Sequence, residues 1–225
     1  MPTLPDTAPI SPTRVRYIKL GHAGEWETEC LKRGIVRLGF GTAKPARLDL
    51  CLHGRWGELK QSFAAEGKDP GTTTNFANQV RLFFEDDGTT LWLTFVGEHL
   101  CWGFMAPGAP AAHEDGVGVW RTVAGGWKRT DATGGPLTKD RLAGSLTELA
   151  AYHGTSCDVG VAGYATRRIN GLKSPEVERA VAALAELRRA VLGMIRLLGP
   201  KDFEVLVELV FSTSGWRRQG AVGGA

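Results

Sequence analysis

From Ser174 onward the chain commits to helix, and it does so twice in tandem. Ser174-Pro175 followed by Glu176 and Glu178 reads as a capped helix start, with Pro at a first helical position and acids at the positive end of the dipole. Val177, Val181, Leu184, Val191, Ile195 and Leu198 then recur in steps of four and three, and Arg188 interrupts that seam. Gly199-Pro200 ends one helix and opens another, in which Phe203, Leu206, Val207, Val210 and Phe211 share one apolar face up to Gly215. A lone amphipathic helix has nothing of its own to bury against. These residues therefore read as a long connecting helix and a helical stub appended to whatever the first 165 residues build.

Those residues alternate short helices and strands. Arg14 to Leu20 reads as a strand, Gly21-His22-Ala23-Gly24 as a turn, and Glu25 to Arg33 as a short helix stopped by Gly34. Ile35 to Phe40 is a second strand. Leu48 to Leu52 alternates apolar residues with Asp49 and Cys51, and helices are expected at about Trp56 to Ala65 and, capped by Thr72 to Thr74, at about Asn75 to Glu85. Thr90 to Val96 and His99 to Met105 flank Gly97-Glu98 as a hairpin, and Val117 to Val123 and Trp127 to Thr130 flank Ala124-Gly125-Gly126 as another. Pro107 to Gly116 is a surface loop, and Ser145-x-x-Glu148 has the form of a capping box. The class is α+β.

Charge and cysteine usage narrow the partners. Residues 166–198 carry seven Lys/Arg against three acids, whereas 1–165 carry 17 against 18. The first domain thus has no bulk basic surface, and nucleic acid would have to be held at a local site. The basic helix has two readings, a solvated face or a set of phosphate contacts through Arg167, Arg168, Arg179 and Arg189. No apolar run approaches a membrane span, and the Pro-rich start (residues 1–12, a flexible arm) lacks the apolar centre of a signal peptide. Cys30, Cys51, Cys101 and Cys157 follow no framework spacing and read as reduced thiols of a cytoplasmic protein.

Six of the seven tryptophans lie in the first domain. A small β-rich domain buries aromatics as core; the sharper alternative is a cage, since stacking a base on an indole contributes about 1–3 kcal/mol. Trp102 shares a strand side with Leu100 and Phe104 and reads as core. Trp92 lies opposite the Leu91, Leu93 and Phe95 face, Trp120 opposite Val119, and Trp26 opens a helix at a rim position. Cys51-x-His53 and His99-x-Cys101 form mirror-image pairs that would converge on zinc if both lay on strands, but they lack the knuckle spacing of structural zinc sites. A Cys157/His153 nucleophile pair lacks an orienting third group, and no phosphate-binding glycine loop is present.

Tyr17-Ile18-Lys19-Leu20-Gly21, Trp26, Ile35-x-Arg37-Leu38-Gly39-Phe40 and Thr90-Leu91-Trp92-Leu93-Thr94-Phe95 with its returning strand resemble the PUA-like superfamily, which includes the EVE and YTH domains that read modified bases. The resemblance covers roughly Tyr17 to Cys157 and implies a twisted β-barrel or sheet with flanking helices over 13–165. It further implies a base pocket of Lys19, Gly21, Trp26 and Phe40, with Trp92 as a wall and the polar reader of the base edge unassigned; Asn75 and Asn78 qualify by chemistry alone.

Phe203-Glu204-x-Leu206-Val207, then Ser214-Gly215-Trp216-Arg217-Arg218 and Gly223-Gly224, resembles the first helix of Mrr-like (type IV) restriction endonuclease domains. In that family a catalytic Asp and a Glu-x-Lys or Gln-x-Lys strand follow the glycines, with magnesium as cofactor. The expected organisation is a reader at 13–165, a basic linker helix at 166–198 that serves homodimerisation, and the start of a nuclease domain at 199–225. This segment is expected to bind modified double-stranded DNA, to hold no catalytic residue or cofactor of its own, and to cut nothing alone. An RNA-binding module and a protein-interaction domain remain the alternatives.

Overall fold

The computed structural model describes residues 9–173 and 175–216. Most of the N-terminal arm, the Ser174 cap and the Arg217-Arg218 and Gly223-Gly224 motifs lie outside them. The chain divides into two units between Leu172 and Lys173, so the first extends past the expected boundary at 165. The cause is the helix Ala162–Ile169, which buries Ala165 and Ile169 in the first core. Its follower Asn170 clamps the incoming chain, accepting from the Ile10 N–H at 2.8 Å and donating to the Ile10 carbonyl at 3.0 Å.

The first unit is a mixed α+β domain. Its strands are β1 (Arg14–Ile18), β2 (Ile35–Leu38), β3 (Thr90–Val96), β4 (His99–Phe104), β5 (Ala111–Ala112), β6 (Val119–Thr122) and β7 (Ser156–Asp158). Among the described residues they form two sheets rather than one closed barrel, ordered β4-β3-β1-β7 and β2-β6-β5. β1 runs parallel to β3, with Arg14 opposite Thr90 and Tyr17 opposite Leu93, and antiparallel to β7. The sheets meet beyond the end of β4, where Met105 bridges Val123 and the Ala106 and Ala124 N–H groups donate to the Thr122 and Phe104 carbonyls, each at 2.8 Å.

The helices are α1 (Glu27–Arg33), α2 (Pro45–Leu52), α3 (Trp56–Ala64), α4 (Pro70–Phe84), α5 (Gly144–Thr147) and α6 (Ala162–Ile169), with α7 (Pro175–Arg196) and α8 (Pro200–Thr213) in the second unit. α4 starts at Pro70, before the expected Asn75, because the Asp69 carboxylate accepts from the Thr72 N–H at 2.9 Å. α2 replaces the alternation seen at 48–52. Pro45 stands in its first turn, and Arg47 and Cys51, four apart, are its buried pair. Five alternating residues are too few to outweigh a helical start signal. The Gly125-Gly126 turn makes no hairpin either: β6 pairs with β2 and β5, and the chain crosses so that Lys128 bridges Trp102. At 143–151 the helix begins after Ala143 with no side-chain cap, so Ser145 and Glu148 form no capping box.

The first sheet is buried on both faces, which decides the fate of its aromatics. Tyr17, Leu91, Leu93, Phe95, Trp102 and Ile169 pack on one side. On the other, Ile18, Leu38, Phe63, Phe83, Trp92 and Val119 pack beneath α1 to α4. Alternation along β3 therefore distributes residues between two cores, not between core and solvent. In the second unit α7 and α8 bury no residue, and among the described residues no helix is long and apolar enough to cross a membrane.

Candidate functional site: a cleft where two strands end

β1 runs out through Lys19 and Leu20 into Gly21, whose φ of +84° only glycine adopts without strain. A Cβ there would stand 2.9 Å from Cδ2 of Trp26 and 2.5 Å from Cγ of Glu25. Glycine thus lets the following turn fold tightly against the strand end. The Trp26 N–H donates to the Leu20 carbonyl at 3.2 Å, and the His22 N–H donates to Glu25 Oε1 at 3.0 Å. Across the gap, the Lys19 N–H donates to the Thr155 carbonyl at 2.8 Å and brings in the segment before β7. The result is a cleft of about 330 Å³ whose lining includes Lys19, Gly21, His22, Glu25, Trp26 and Thr155, together with Gly39, Val117, His153 and Gly154.

Trp26 is fixed from behind. The Arg37 guanidinium carbon lies 4.3 Å from the indole centroid, within cation–π distance, and the residue is 2% exposed. Its Nη1 donates to Glu29 Oε2, and its Nη2 donates to Asp115 Oδ2 and the Val117 carbonyl, each at 2.7 Å. His113 fills the space between the same two acids, with Nε2 2.9 Å from Glu29 Oε1 and Nδ1 2.9 Å from Asp115 Oδ1. Burial pushes the Asp115 carboxyl up, but the Val117 N–H, Arg37 and His113 outweigh it and hold it far below the usual range. Glu29 is lowered in the same way by Arg37, Arg33 and His113 against its own desolvation. This network ties the 113–117 loop to α1 and β2, and the loop's Val117 forms part of the cleft.

Lys19, Gly21 and Trp26 come together at this cleft. Phe40 does not line this cleft. It sits at a positive φ of 62°, its ring 4.6 Å from that of Phe76, at a separate hollow that also involves Lys44, Arg47 and Phe63. Trp92 is not a wall: it is 1% exposed, its indole N–H donates to Asp86 Oδ2 at 2.7 Å, and it packs edge-on to Phe83. Asn75 and Asn78 lie on α4, exposed, with Asn75 accepting from Gln79 at 3.1 Å. Besides Lys19, the polar side chains that line the cleft are those of His22, Glu25, His153 and Thr155. The Gly21–Gly24 turn was a signal for the first two; the others arrive by the β1–β7 pairing, which no local pattern announces.

The arginines separate. Arg167 and Arg168 close α6 in the first unit, whereas Arg179 and Arg189 are exposed on α7 in the second, with Arg179 3.2 Å from Glu176. Cys51 and His53 lie at the end of a helix and not on a strand, so the mirror-image geometry with His99 and Cys101 does not form. Among the described residues no group of three His, Cys, Asp or Glu is placed to hold a metal ion. His153 lies in the loop before β7 and Cys157 within that strand, not a helical turn apart. No protein-family model, curated protein or solved structure matches the chain.

Proposed function

We propose that this chain is the DNA-binding specificity module of a modification-dependent, Mrr-like restriction endonuclease, and that its first unit is a PUA-like reader holding a flipped modified base in the cleft beside Trp26. One observation supports this reading: Lys19, Gly21 and Trp26, three of the four positions that the resemblance matches to the superfamily's base pocket, line one cleft, although Phe40 does not. Its volume of about 330 Å³ stands at the low end of the roughly 300–1,000 Å³ of small-ligand sites, which suits one base rather than a stretch of chain. Trp26 offers a π surface for stacking, and Glu25, His22, Thr155 and Lys19 offer acceptors and donors for a base edge and its phosphate. The positive charge of Arg37 against the indole, with Lys19 nearby, disfavours a cationic ligand and so argues against a methyl-ammonium cage. Arg167 and Arg168 are the phosphate contacts proposed for the reader, and Arg179 and Arg189 those of the linker helix. Magnesium belongs to the nuclease chemistry of the parent enzyme, in a cytoplasmic host-defence role.

The test is a binding screen against duplexes differing only in 5-methylcytosine, 5-hydroxymethylcytosine, N6-methyladenine or phosphorothioate. Trp26→Ala is expected to abolish discrimination between modified and plain DNA and to leave weak, salt-sensitive binding, at a cost of roughly 1–3 kcal/mol for the lost stacking wall. Arg189→Ala is expected to weaken both ligands about equally. Full discrimination in a folded Trp26→Ala protein sinks the cleft as the reading site. A folded protein with no preference among modified and plain duplexes favours the RNA-binding or protein-interaction readings.

A further inference from the structure

A second hollow, of about 250 Å³, lies where the turn after β2 meets α2, α3 and α4. Phenylalanine rings form its apolar side. Phe40 and Phe76 are half-buried with centroids 4.6 Å apart, and Phe63 stands edge-on to Phe76 at 5.8 Å. Phe40 holds this place at a φ of 62°, a backbone conformation that disfavours a bulky side chain. Its carbonyl accepts from Arg47 Nη1 at 3.2 Å, and Gly41 leaves the room this needs, since a Cβ there would stand 3.0 Å from the same nitrogen.

The polar side is lopsided in charge. Lys44, Arg47 and Lys68 line the hollow with Glu66 alone to balance them. Arg47 is tied to the scaffold: its Nε donates to the Ser62 hydroxyl at 3.1 Å, and its Nη2 donates to the Ser62 carbonyl at 3.0 Å and lies 2.7 Å from Glu66 Oε1. The two lysines are held loosely, with Nζ of Lys44 3.3 Å and Nζ of Lys68 3.7 Å from the same carboxylate. Among the described residues no other acid comes within ion-pair distance of either. Burial pushes the Glu66 carboxyl up, but Arg47 and Lys44 outweigh it and hold it below the usual range, so it is ionised at neutral pH. Two positive charges are left over, on ammonium groups that each have three N–H donors and one distant acceptor.

We propose that this hollow binds a nucleotide with a terminal phosphate, the phosphate bridging Lys44 and Lys68 and the base stacking on the Phe40–Phe76 pair. Charge and shape select this chemistry. A phosphate monoester carries about −1.5 to −2 charges at pH 7 and so matches the excess, whereas a carboxylate or an internal phosphodiester brings one. Rings tilted by 48° offer a flat base one face and one edge, a contact open to any base. The volume of about 250 Å³, below the roughly 300 Å³ at which small-ligand sites begin, admits one nucleotide and not a run of them. Free mononucleotides and phosphorylated strand ends share this chemistry. The hollow has no lining residue in common with the cleft beside Trp26, and the proposal does not depend on what that cleft binds.

Isothermal titration calorimetry of the full chain tests it, with adenosine monophosphate, adenosine, inorganic phosphate, and a trinucleotide with or without a 5′-phosphate. Adenosine monophosphate is expected to bind at least about tenfold more tightly than adenosine or phosphate, each of which makes half of the contact. Lys44→Gln combined with Lys68→Gln should weaken it at least about tenfold, and Phe40→Leu, which keeps an apolar side chain and removes the ring, about fivefold or more. Both lysines reach solvent, and circular dichroism verifies that each variant keeps its fold. A 5′-phosphorylated trinucleotide that matches adenosine monophosphate assigns the hollow to strand ends; a weaker one assigns it to free nucleotides. No binding at millimolar adenosine monophosphate overturns the proposal, as does inorganic phosphate or an unphosphorylated trinucleotide that binds equally well. Affinity unmoved by the double lysine variant, or lost in Trp26→Ala, puts the ligand elsewhere and overturns it too.

Discussion

Replacing Arg37 by Met removes the cation behind Trp26 and keeps an unbranched apolar stem. Three short charge-assisted bonds disappear, to Glu29, Asp115 and the Val117 carbonyl, along with the contact to the indole. Breaking a fully buried ion pair from one side costs about 3–5 kcal/mol. Here the abandoned Glu29 and Asp115 side chains are 31% and 45% exposed, so water recovers part of the loss. The net expectation is about 3 kcal/mol, which for a domain of this size lowers Tm by roughly 6–12 °C. Thermal unfolding followed by tryptophan fluorescence and circular dichroism measures it at pH 7. The difference should also shrink in acid. Asp115 and Glu29 have lowered folded-state pKa values, so the stability they contribute is complete above the ordinary carboxylate range of about 4 and fades as pH falls toward the folded values. Wild type and Arg37→Met should therefore converge below pH 4. A Tm within about 2 °C of wild type at pH 7, or a gap independent of pH, refutes the network as the support of Trp26.

Three further outcomes follow from the same geometry. Trp92→Phe should lower stability by about 1–3 kcal/mol, because it leaves the Asp86 carboxylate without its indole donor in a buried place, and should leave ligand discrimination intact; lost discrimination would return Trp92 to the site. Gly21→Ala should cost about 1–3 kcal/mol through its positive φ and displace Trp26, so calorimetry and binding should both register it, and a neutral result would mean the turn is adaptable. Cys30 and Cys51, whose thiols burial pushes up to about 12, should resist alkylation in the native protein at pH 8 and react in denaturant; fast native labelling would place them outside the core.

The sequence disclosed what is local. Gly21 and Trp26 are five residues apart, so their juxtaposition follows from a turn, and the hairpin at Gly97 was legible from alternation and punctuation. What depends on distant pairing was not. Trp92 looked solvent-facing because alternation reveals that a strand has two faces, not that both are buried, and only helices from other parts of the chain bury the second one. The turn at Gly125-Gly126 carried the right residues for a hairpin, yet β2, 80 residues and more upstream, is what β6 pairs with. The cleft's far wall escaped for the same reason: His153 and Thr155 meet Lys19 only because β7 returns to β1.

That return has a consequence for when the site exists. Lys19 is among the first residues of the unit to leave a ribosome, and Thr155 among the last. Closing so long a stretch of chain is slow, and only the finished sheet rewards it. During synthesis, then, Trp26 and its turn wait without their opposite wall, and a nascent or clipped chain lacking 153–158 has half a cleft. Under the proposed function, recognition is thereby tied to completion of the unit: a fragment that keeps every residue from Lys19 to Trp26 should still be blind to modified DNA.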